Sequence, residues 1–483
     1  MTDTPPLPPQ IWETLTQEAQ AAVLALIDRL EQQVADLNLQ VRDLKARLDQ
    51  NSTNSSKPPS ADPIGVKRKP PEPPSRKRRG GQKGHPRRIR ALVPPERVAS
   101  VTDCKPDECR RCGHPLSGHD PEPRRHQVAE LPPIEPEVHE YRLHRLSCPH
   151  CKTVTCGVLP DGVPCTLFGP RLHAALSVLT GAYRLSKRQV VQLCSDLLGL
   201  TISLGMIAKL ERITADVLEQ PVSALAEEVK TAEAANIDET GWRESRRKAW
   251  LWVVVTSVGI VFRIVRSRAG AVAQDLLGKQ PKPIVISDRF PGYEWIDLKS
   301  RQICWAHLRR DMQAMIDRDG DGAEVGRRLL WQSDKLFEAW HKVRDGTIRR
   351  STLLRTVAWL RPMVRSSLER GAACACPKTA TTCAELLRLW ECLWTFTRVE
   401  GVEPTNNAAE RALRHAVIWR RISGGTDSEG GSRFVERMLS VVATCRHQGR
   451  DVLDYLTSCF EADCHGRALP SLLPVTAAET AAA

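Results

Sequence analysis

The sequence predicts a multidomain α/β protein whose sheet domain contains a helical insertion and follows several smaller modules. Three observations lead to this prediction. The 483 residues exceed what one compact domain usually holds. Short runs rich in Val and Ile begin near residue 236 and later give way to a long helical pattern. The segments before them differ sharply from one another in composition, as separate modules do.

The composition indicates in which cellular compartment the protein functions. Its hydrophobic content of 41% is enough for real cores, and no run approaches the ~20 apolar residues of a membrane span. The opening "MTDTPPLPPQ" has neither the basic nor the apolar region of a signal peptide. We therefore expect a cytoplasmic protein without a membrane partner. In that compartment the 16 cysteines favour thiols and metal ligands over disulfides.

Residues 1–50 are predicted to form a coiled-coil helix. Apolar residues recur there at alternating spacings of three and four: Ile27, Leu30, Val34, Leu37, Val41, Leu44 and Leu48. β-Branched residues hold most of the a positions and Leu most of the d positions, which favours two strands and hence a homodimer or a higher oligomer. The alternative is one amphipathic helix packed on its own chain.

Residues 51–98 form a predicted linker without regular structure. "NSTNSSKPPSADP" is rich in Ser, Asn and Pro, and a basic tract follows it. Residues 64–90 contain eleven Lys or Arg and one acid, so they carry +10 of the chain's net +13. Such a tract is typical of an arm that binds nucleic acid, although a solvated linker has the same composition. The candidate DNA contacts are Lys67, Arg68, Lys69, Arg76, Lys77, Arg78, Arg79, Lys83, Arg87 and Arg88.

Residues 99–168 are predicted to be a zinc ribbon. "CRRC" and "CPHC" supply four thiols, Cys109, Cys112, Cys148 and Cys151, and soft thiolates suit a tetrahedral structural Zn²⁺. The 35 residues between the two CxxC pairs, which are called the knuckles of such a ribbon, are long enough for a β-hairpin. The exact ligand set stays open, because four further candidates lie nearby: Cys104, His114, His150 and Cys156.

Residues 169–232 are predicted to be helical and to resemble a helix-turn-helix. Within "LSKRQVVQLCSDLLGLTISLGMIAKLERI" one helix should start from Ser186, a turn should fall at Gly199, and Ser203 should cap a second helix. This arrangement is typical of DNA-binding modules, and any small helical hairpin would fit it as well.

Residues 233–304 and 402–460 are predicted to form the sheet domain. Strands are expected in "ANIDET", "KAWLWVVVTSV", "IVFRIVRS" and "KPIVISD", with a helix in "AGAVAQDLLG" before the last of them. Residues 305–401 read as an all-α insertion, and residues 461–483 as a C-terminal tail.

Three acids in this domain are candidates for catalysis. Asp238 and Asp288 end predicted strands, and the carboxyl ends of neighbouring strands share one crevice. Glu410 follows in "EPTNNAAERALRHA", in a predicted helix that Thr405 or Asn406 could cap. Three such carboxylates can hold two hard cations, which activate a hydroxyl and stabilise the leaving oxygen at a phosphodiester.

Each acid also has a simpler reading. Asp238 could end its strand in a turn, and Asp288 could cap the helix that begins near Pro291. Glu410 could be a solvated partner of Arg411 and Arg414. The ordered set of three, together with the thiol pairs and the basic tract, favours the catalytic reading.

The chain resembles the transposases of the insertion sequence 66 type over nearly its full length. The resemblance rests on the coiled-coil region, the double CxxC and a series of ordered phrases: "NSSKPPS", "GGQKGHP", "DETGW", "SDRFPGYEWI", "CWAHLRRD", "TNNAAERALR" and "SVVATCRHQGRDVLDYL".

The resemblance implies a DDE transposase with an RNase H-like core, whose triad maps to Asp238, Asp288 and Glu410. It further implies Mg²⁺ (or Mn²⁺) at that triad, structural Zn²⁺, double-stranded DNA (transposon ends and target) as substrate, and small accessory proteins as partners. In a prokaryote the protein would be associated with the nucleoid. Supporting residues follow from two of the phrases: Cys304 and His307, and Asn406 and Asn407.

The chain departs from the pattern of such enzymes at one contact position. Many carry a basic residue two helical turns after the Glu, where this chain has Val417. Arg414 or Arg420 could serve instead, and Arg411 and Arg414 are the candidate DNA contacts on this helix. "GGTDSEGG" also stands where a simpler Gly-Ser loop is expected.

Two other functions remain open. A DNA-binding regulator would keep the ribbon, the helical module and the arm without chemistry, but it would be free to lose an acid. A nuclease for branched DNA would explain the three acids, but it would not explain the function of the zinc ribbon and the dimerising helix.

Overall fold

The computed structural model describes residues 8–48, 91–164, 166–318 and 320–474. Helix α1 spans Pro9–Trp12, and α2 spans Gln17–Leu48 as one continuous helix that contains all seven residues of the predicted apolar repeat. The helix is confirmed over that range, and its pairing as a coiled coil stays a prediction. From Leu30 to Leu48 its repeating apolar side chains are about half exposed or more, from 45% at Val41 to 80% at Leu48, whereas Ile27 is partly buried. In the described ranges, no helix has the length and apolar character needed to cross a membrane.

The cysteine-rich segment has little regular structure. After a 3₁₀ turn at Pro95–Arg97, strands β1 (Arg145–Ser147) and β2 (Val154–Cys156) pair antiparallel. The hairpin was predicted between the two CxxC pairs, and that placement is wrong, because β1 and β2 flank the second pair. The residues between the pairs include the proline-rich "PEPRRHQVAELPPIEPEV", and prolines lack the N–H that a strand ladder needs.

The next module contains four helices: α3 (Pro170–Gly181), α4 (Lys187–Leu198), α5 (Leu204–Val217) and α6 (Glu219–Glu228). The predicted signals for α4 and α5 are confirmed. Ser186 caps α4 in a capping box with Gln189. Gly199 ends α4 in the left-handed conformation, with φ of 64°, and the Ser203 side chain caps α5.

A five-stranded sheet forms the centre of the molecule. Its strands are β3 (Ala234–Glu244), β4 (Arg247–Val255), β5 (Ile260–Val265), β6 (Ile284–Ser287) and β7 (Arg301–Ile303), with α7 (Gly270–Leu277) between β5 and β6. The order is β5-β4-β3-β6-β7. β3, β4 and β5 form an antiparallel meander, and β6 and β7 extend it in parallel with β3. The four predicted strands are confirmed, and β7 is an addition.

The predicted helical insertion contains α8 (Trp305–Ile316), α9 (Asp321–Arg344), α10 (Arg350–Ala372), α11 (Pro377–Arg388) and the short α12 (Thr395–Arg398). These helices share a hydrophobic core with Ile286 of β6 and Ile303 of β7. The insertion therefore packs onto the parallel edge of the sheet.

The chain then returns to the sheet through α13 (Asn407–Ser423), α14 (Glu429–His447) and α15 (Val452–Cys464). The α13–α14 loop lies on the β3–β4 hairpin, where the Gly425 backbone has φ of 124° and closely approaches the Arg243 carbonyl. A side chain at residue 425 would collide there, which explains part of the "GGTDSEGG" sequence. Residues 465–474, predicted to belong to a tail, pack on the core through Leu472.

Helix α14 covers the outer edge of β5. The backbone N–H groups of alternate β5 residues donate to side chains spaced four residues apart on α14: Ile260 to Thr444 Oγ1 (3.0 Å), Phe262 to Ser440 Oγ (2.9 Å) and Ile264 to Glu436 Oε2 (2.7 Å). The edge donors that another strand could have paired are thereby satisfied.

Candidate active site

Asp238 and Asp288 lie at neighbouring positions of the sheet. The parallel pairing of β3 with β6 ends at Asn236 and Ile286, and two more residues in that register align Asp238 with Asp288. Asp288 follows β6 directly, as predicted. Asp238 was predicted at a strand end and instead lies within β3, which runs on to Glu244 because it pairs with β4. The crevice therefore opens where β6 ends.

Backbone groups fix the rotamers of both aspartates. Asp238 Oδ1 accepts the N–H of Glu239 at 2.9 Å, and Asp288 Oδ1 accepts the N–H of Phe290 at 2.9 Å. The buried Arg301 of β7 donates to the Asp288 carbonyl at 2.7 Å and to Ser287 Oγ at 3.1 Å. The chain therefore holds both carboxylates in place while each keeps an oxygen for a cation.

Glu410 lies in the first turn of α13 and contacts α8. Its Oε1 is 3.4 Å from His307 Nδ1 and 3.9 Å from Arg310 Nη2. The solvated pairing with Arg411 and Arg414 does not occur, because both arginines are exposed on the outer side of α13. Glu410 Oε1 and His307 Nδ1 are buried atoms without a hydrogen-bond partner in the described part of the chain. Glu410 thus points into the protein with unused ligand capacity.

The charges of the three acids act on one another. Burial raises the pKa of Asp238 well above its usual value, and the negative charges of Glu239, Asp288 and Glu410 raise it further. Burial and the nearby Arg310 lower the pKa of His307. Carboxylates that raise one another's pKa repel one another unless a positive charge lies between them.

Cys304 and Asn406 connect the elements that carry the acids. The backbone N–H of Cys304 donates to the Ser287 carbonyl at 2.9 Å, next to Asp288, and its Sγ accepts the N–H of Asn406 at 3.1 Å. The Asn406 side chain donates to the Ile237 carbonyl at 2.8 Å, next to Asp238. Asn406 occupies the N-cap position of α13, but its side chain does not cap the helix. It ties α13 to β3 instead.

We expect Asn406→Ala to lower both stability and activity. The substitution removes the hydrogen bond to the Ile237 carbonyl and the one that the Asn236 amide donates to Asn406 Oδ1 at 3.0 Å, which leaves that amide only a 3.5 Å contact with the Thr405 carbonyl. Such a loss costs about 1–3 kcal/mol. A displacement of Glu410 by about 1 Å would slow catalysis on the order of a hundredfold. Urea unfolding and cleavage rates measure the two effects.

Asn407 is also a supporting residue by the family resemblance, but among the described residues its side chain makes no hydrogen bond, so Asn407→Ala is the matched comparison. We expect it to behave nearly as the wild type in both assays. Equal effects from the two substitutions would contradict a specific positioning role for Asn406.

A second group of residues surrounds the buried Glu239 of β3 and was not identified from the sequence. Glu239 is buried, accepts the Tyr293 hydroxyl at 2.5 Å and forms an ion pair with Arg268 at 2.7 Å. The Arg268 guanidinium lies over the ring of Phe290, 3.9 Å from its centroid. The phrases "DETGW" and "SDRFPGYEWI" contain three of these four residues, Glu239, Phe290 and Tyr293, so each lies close in sequence to one of the aspartates.

Arg420, one of the two candidates for the missing basic contact, and Arg289, next to Asp288, are both engaged within the protein. Arg420 donates to Thr240 Oγ1 at 3.2 Å and to the Gly241 carbonyl of β3, so it is not available as the missing basic contact. Arg289 pairs with Asp311 of α8 at 2.8 Å and with Glu385 of α11, which anchors the insertion beside Asp288. Arg411 and Arg414 remain the exposed candidates on α13.

The four cysteines of the predicted ribbon form two local pairs. Hydrogen bonding, first from the Arg111 backbone, lowers the pKa of Cys109, and the Thr153 hydroxyl lowers the pKa of Cys151 to about 7. Cys109 and Cys112 lie in contact, as do Cys148 and Cys151. Over the described ranges, the one cluster of three possible ligands within 4.8 Å is Cys304, His307 and Glu410, so this structure does not bring the two thiol pairs together. Their joint Zn²⁺ site stays a prediction from the sequence.

The candidate DNA contacts of the arm lie outside the described residues. These are Lys67, Arg68, Lys69, Arg76, Lys77, Arg78, Arg79, Lys83, Arg87 and Arg88. Their role stays a prediction from the sequence.

Comparison with known proteins agrees with this architecture. Residues 165–433, more than half of the chain, match a family described as "Transposase IS66 family", and residues 106–152 match the "zinc-finger binding domain of transposase IS66". Residues 4–91 match a family of unknown function. The uncharacterized protein y4qI of Sinorhizobium fredii is 27% identical over 158 residues, which span 32% of this chain and 29% of that protein.

Proposed function

Because the chain belongs to the IS66 family of transposases and carries the zinc-finger domain of that family, we propose that it binds the ends of its insertion sequence and catalyses metal-dependent DNA cleavage and strand transfer. Asp238, Asp288 and Glu410 form the catalytic triad of this proposal. The observation that carries it is geometric: Asp238 and Asp288 lie at aligned positions of β3 and of the end of β6, and Asn406 ties the start of the Glu410 helix to β3.

The sheet supports an RNase H-like core. Three antiparallel strands followed by two parallel ones, in the order β5-β4-β3-β6-β7, are what such a core requires. The two aspartates lie on the central β3 and after its neighbour β6, and the glutamate lies on α13, which packs against β3. The insertion joins the parallel edge between the second and third acids.

The donor set fits hard divalent cations. All three side chains offer carboxylate oxygens, which Mg²⁺ or Mn²⁺ prefers, and the buried Glu410 Oε1 lacks a partner in the described chain. Burial raises the pKa of Asp238, and the charges of the neighbouring acids raise it further, so a cation among these carboxylates would offset their repulsion. When bound, two cations would activate the attacking hydroxyl and stabilise the leaving oxygen of the phosphodiester.

The protein's own contribution is to position these carboxylates. Backbone N–H groups hold Asp238 and Asp288, and Asn406 ties the start of the Glu410 helix to β3. Because these links are made before DNA arrives, the site needs little reorganisation during the reaction.

The decisive experiment measures cleavage and joining of the element's own ends by the full chain in Mg²⁺, with wild type compared with Asp288→Ala. Wild-type activity that Asp288→Ala lacks would support the enzyme. Specific end binding without cleavage by the wild type would favour the DNA-binding regulator. Preferential cutting of branched DNA would favour the nuclease.

The other modules have proposed roles in DNA binding and assembly. We assign sequence choice to the zinc ribbon (residues 99–168) and the helical module (169–232), and phosphate binding to the arm within residues 51–98. The catalytic core would comprise residues 233–304 and 402–460, with residues 305–401 inserted. Small accessory proteins of the same element are further proposed partners.

We also propose that α2 dimerises as a coiled coil. Its stripe stays half exposed, with Leu30 at 50%, Val34 at 56% and Leu37 at 58%, and a second copy would cover it. Leu37→Glu should produce monomers, because it places charge in the seam. Gln32→Glu, on the opposite side of the heptad, is the matched control and should leave assembly unchanged. Sedimentation that shows the same assembly for Leu37→Glu and wild type would contradict the proposal.

A further inference from the structure

We propose that Cys304, His307 and Glu410 form a second metal site, selective for a thiolate-preferring divalent ion such as Zn²⁺, and that its occupation switches the catalytic centre off by capturing Glu410. The binding part of this inference stands on geometry alone. The inhibitory part rests on the function proposed above.

The three donors already converge. Cys304 Sγ, one ring nitrogen of His307 and one oxygen of Glu410 all lie within 4.8 Å of one another. Donors on one tetrahedral Zn²⁺ are separated by roughly 3.3–3.8 Å. Side-chain movements of about 1 Å would therefore close the site.

Two of the donors lack partners in the described chain. His307 Nδ1 and Glu410 Oε1 are buried and 3.4 Å apart, but neither makes a hydrogen bond. Buried polar atoms without partners are costly, and a cation between them would satisfy both. The missing hydrogen bonds of these two buried atoms are a second observation, besides the cluster of donors, that points to a ligand.

The local fold presents Cys304 and His307 together. Cys304 is the N-cap residue of α8, and His307 lies three positions later, so both occupy one face of the first turn. Glu410 reaches this face from α13 because the N–H of Asn406 donates to Cys304 Sγ. The His307 and Glu410 side chains are 24% and 35% exposed, which leaves a path from solvent.

The donor types determine which cation binds. Sulfur and imidazole ligands favour Zn²⁺, whereas the carboxylate crevice favours Mg²⁺. Binding replaces the thiol proton of Cys304 with the metal and releases that proton to solvent. Glu410 cannot then complete the Mg²⁺ site, so Zn²⁺ should inhibit the enzyme even when Mg²⁺ is present in excess.

The binding test uses the full chain dialysed against buffered free Zn²⁺. We expect wild type to hold one more zinc per chain than Cys304→Ser and than His307→Gln, since the ribbon cysteines are unchanged in all three. Cys445→Ser, at an equally buried cysteine of α14, is the matched control and should hold as much zinc as wild type. Co²⁺ in place of Zn²⁺ should give a stronger thiolate absorption in wild type than in Cys304→Ser.

Equal zinc content in wild type, Cys304→Ser and His307→Gln would overturn the site and would leave a proton shared by His307 and Glu410 as the explanation of the cluster. Thermal melts followed by circular dichroism check that the variants are folded. If Cys304→Ser does not fold, the zinc content of His307→Gln alone tests the site.

The inhibition test compares cleavage in Mg²⁺ with and without added Zn²⁺, each variant relative to its own zinc-free rate. The inhibitory zinc concentration should rise at least tenfold in Cys304→Ser. Extra zinc bound without inhibition would overturn the switch. Absence of cleavage by wild type in Mg²⁺ alone would instead contradict the proposed function and leave the binding result intact.

Discussion

Replacing Asp288 by Asn should abolish strand cleavage while binding to the element's ends remains nearly intact. Asparagine keeps the shape of the side chain and its hydrogen bond with the Phe290 N–H, but it removes the negative charge that a cation needs. The same reasoning applies to Asp238→Asn and Glu410→Gln. We expect rates to fall roughly a thousandfold or more, equivalent to about 4 kcal/mol of barrier. A cleavage assay and an end-binding assay on the same preparations measure both quantities.

Glu410→Gln separates catalysis from a structural ion pair. If Glu410 served only to pair with His307 and Arg310, its loss would cost at most about 1 kcal/mol of stability and no activity. Glu403→Gln, a half-buried acid seven residues earlier, is the matched control and should cleave normally. Full strand transfer by Glu410→Gln would rule out the proposed triad.

Loss of a ribbon thiolate should unfold the zinc-finger segment. Its apolar side chains are largely exposed, for example Val128 at 80% and Val138 at 82%, so it lacks a core that could hold it without metal. Thiolate-bound Zn²⁺ contributes on the order of 10 kcal/mol to the folding of such modules. Cys109→Ser and Cys148→Ser should each lose this zinc, become sensitive to protease within residues 106–152, and bind the ends poorly.

Cys104→Ser and Cys156→Ser are the controls for the ligand set. Both thiols are exposed neighbours of the knuckles and should be dispensable. Zinc retained by Cys109→Ser but lost by Cys104→Ser would show that the four ligands were assigned wrongly. Zinc analysis on the full chain distinguishes these outcomes.

The sequence predicted those parts of the fold that local signals determine. Helices α4 and α5 could be placed because Ser186, Gly199 and Ser203 act on their own neighbours. Strand β7 was missed because it contains Arg301 and Gln302, which are buried only because they are hydrogen-bonded to distant groups. The pattern of apolar and polar residues along the sequence does not reveal hydrogen-bond partners that are distant in the chain.

The same limit applies to the candidate site. The two aspartates could be recognised because each belongs to a strand pattern, and Glu410 because it completes a set. The neighbours of Glu410 could not be predicted, because His307 and Arg310 belong to α8 and are separated from Glu410 by the rest of the insertion. Asn406 was expected as a helix cap, and only the packing of α13 on β3 shows that its side chain binds the Ile237 carbonyl.

The helix that covers β5 is synthesised long after the strand itself. Thr444 follows Ile260 by 184 residues, so on a ribosome that adds ~5–20 residues per second the nascent strand waits roughly 10–40 s for its cover. During that interval its outer N–H groups could pair with the same strand of a neighbouring nascent chain on the same messenger RNA. A frameshift or proteolytic cut before Glu436 would make that state permanent, and such fragments should associate through β5 and accumulate as aggregates.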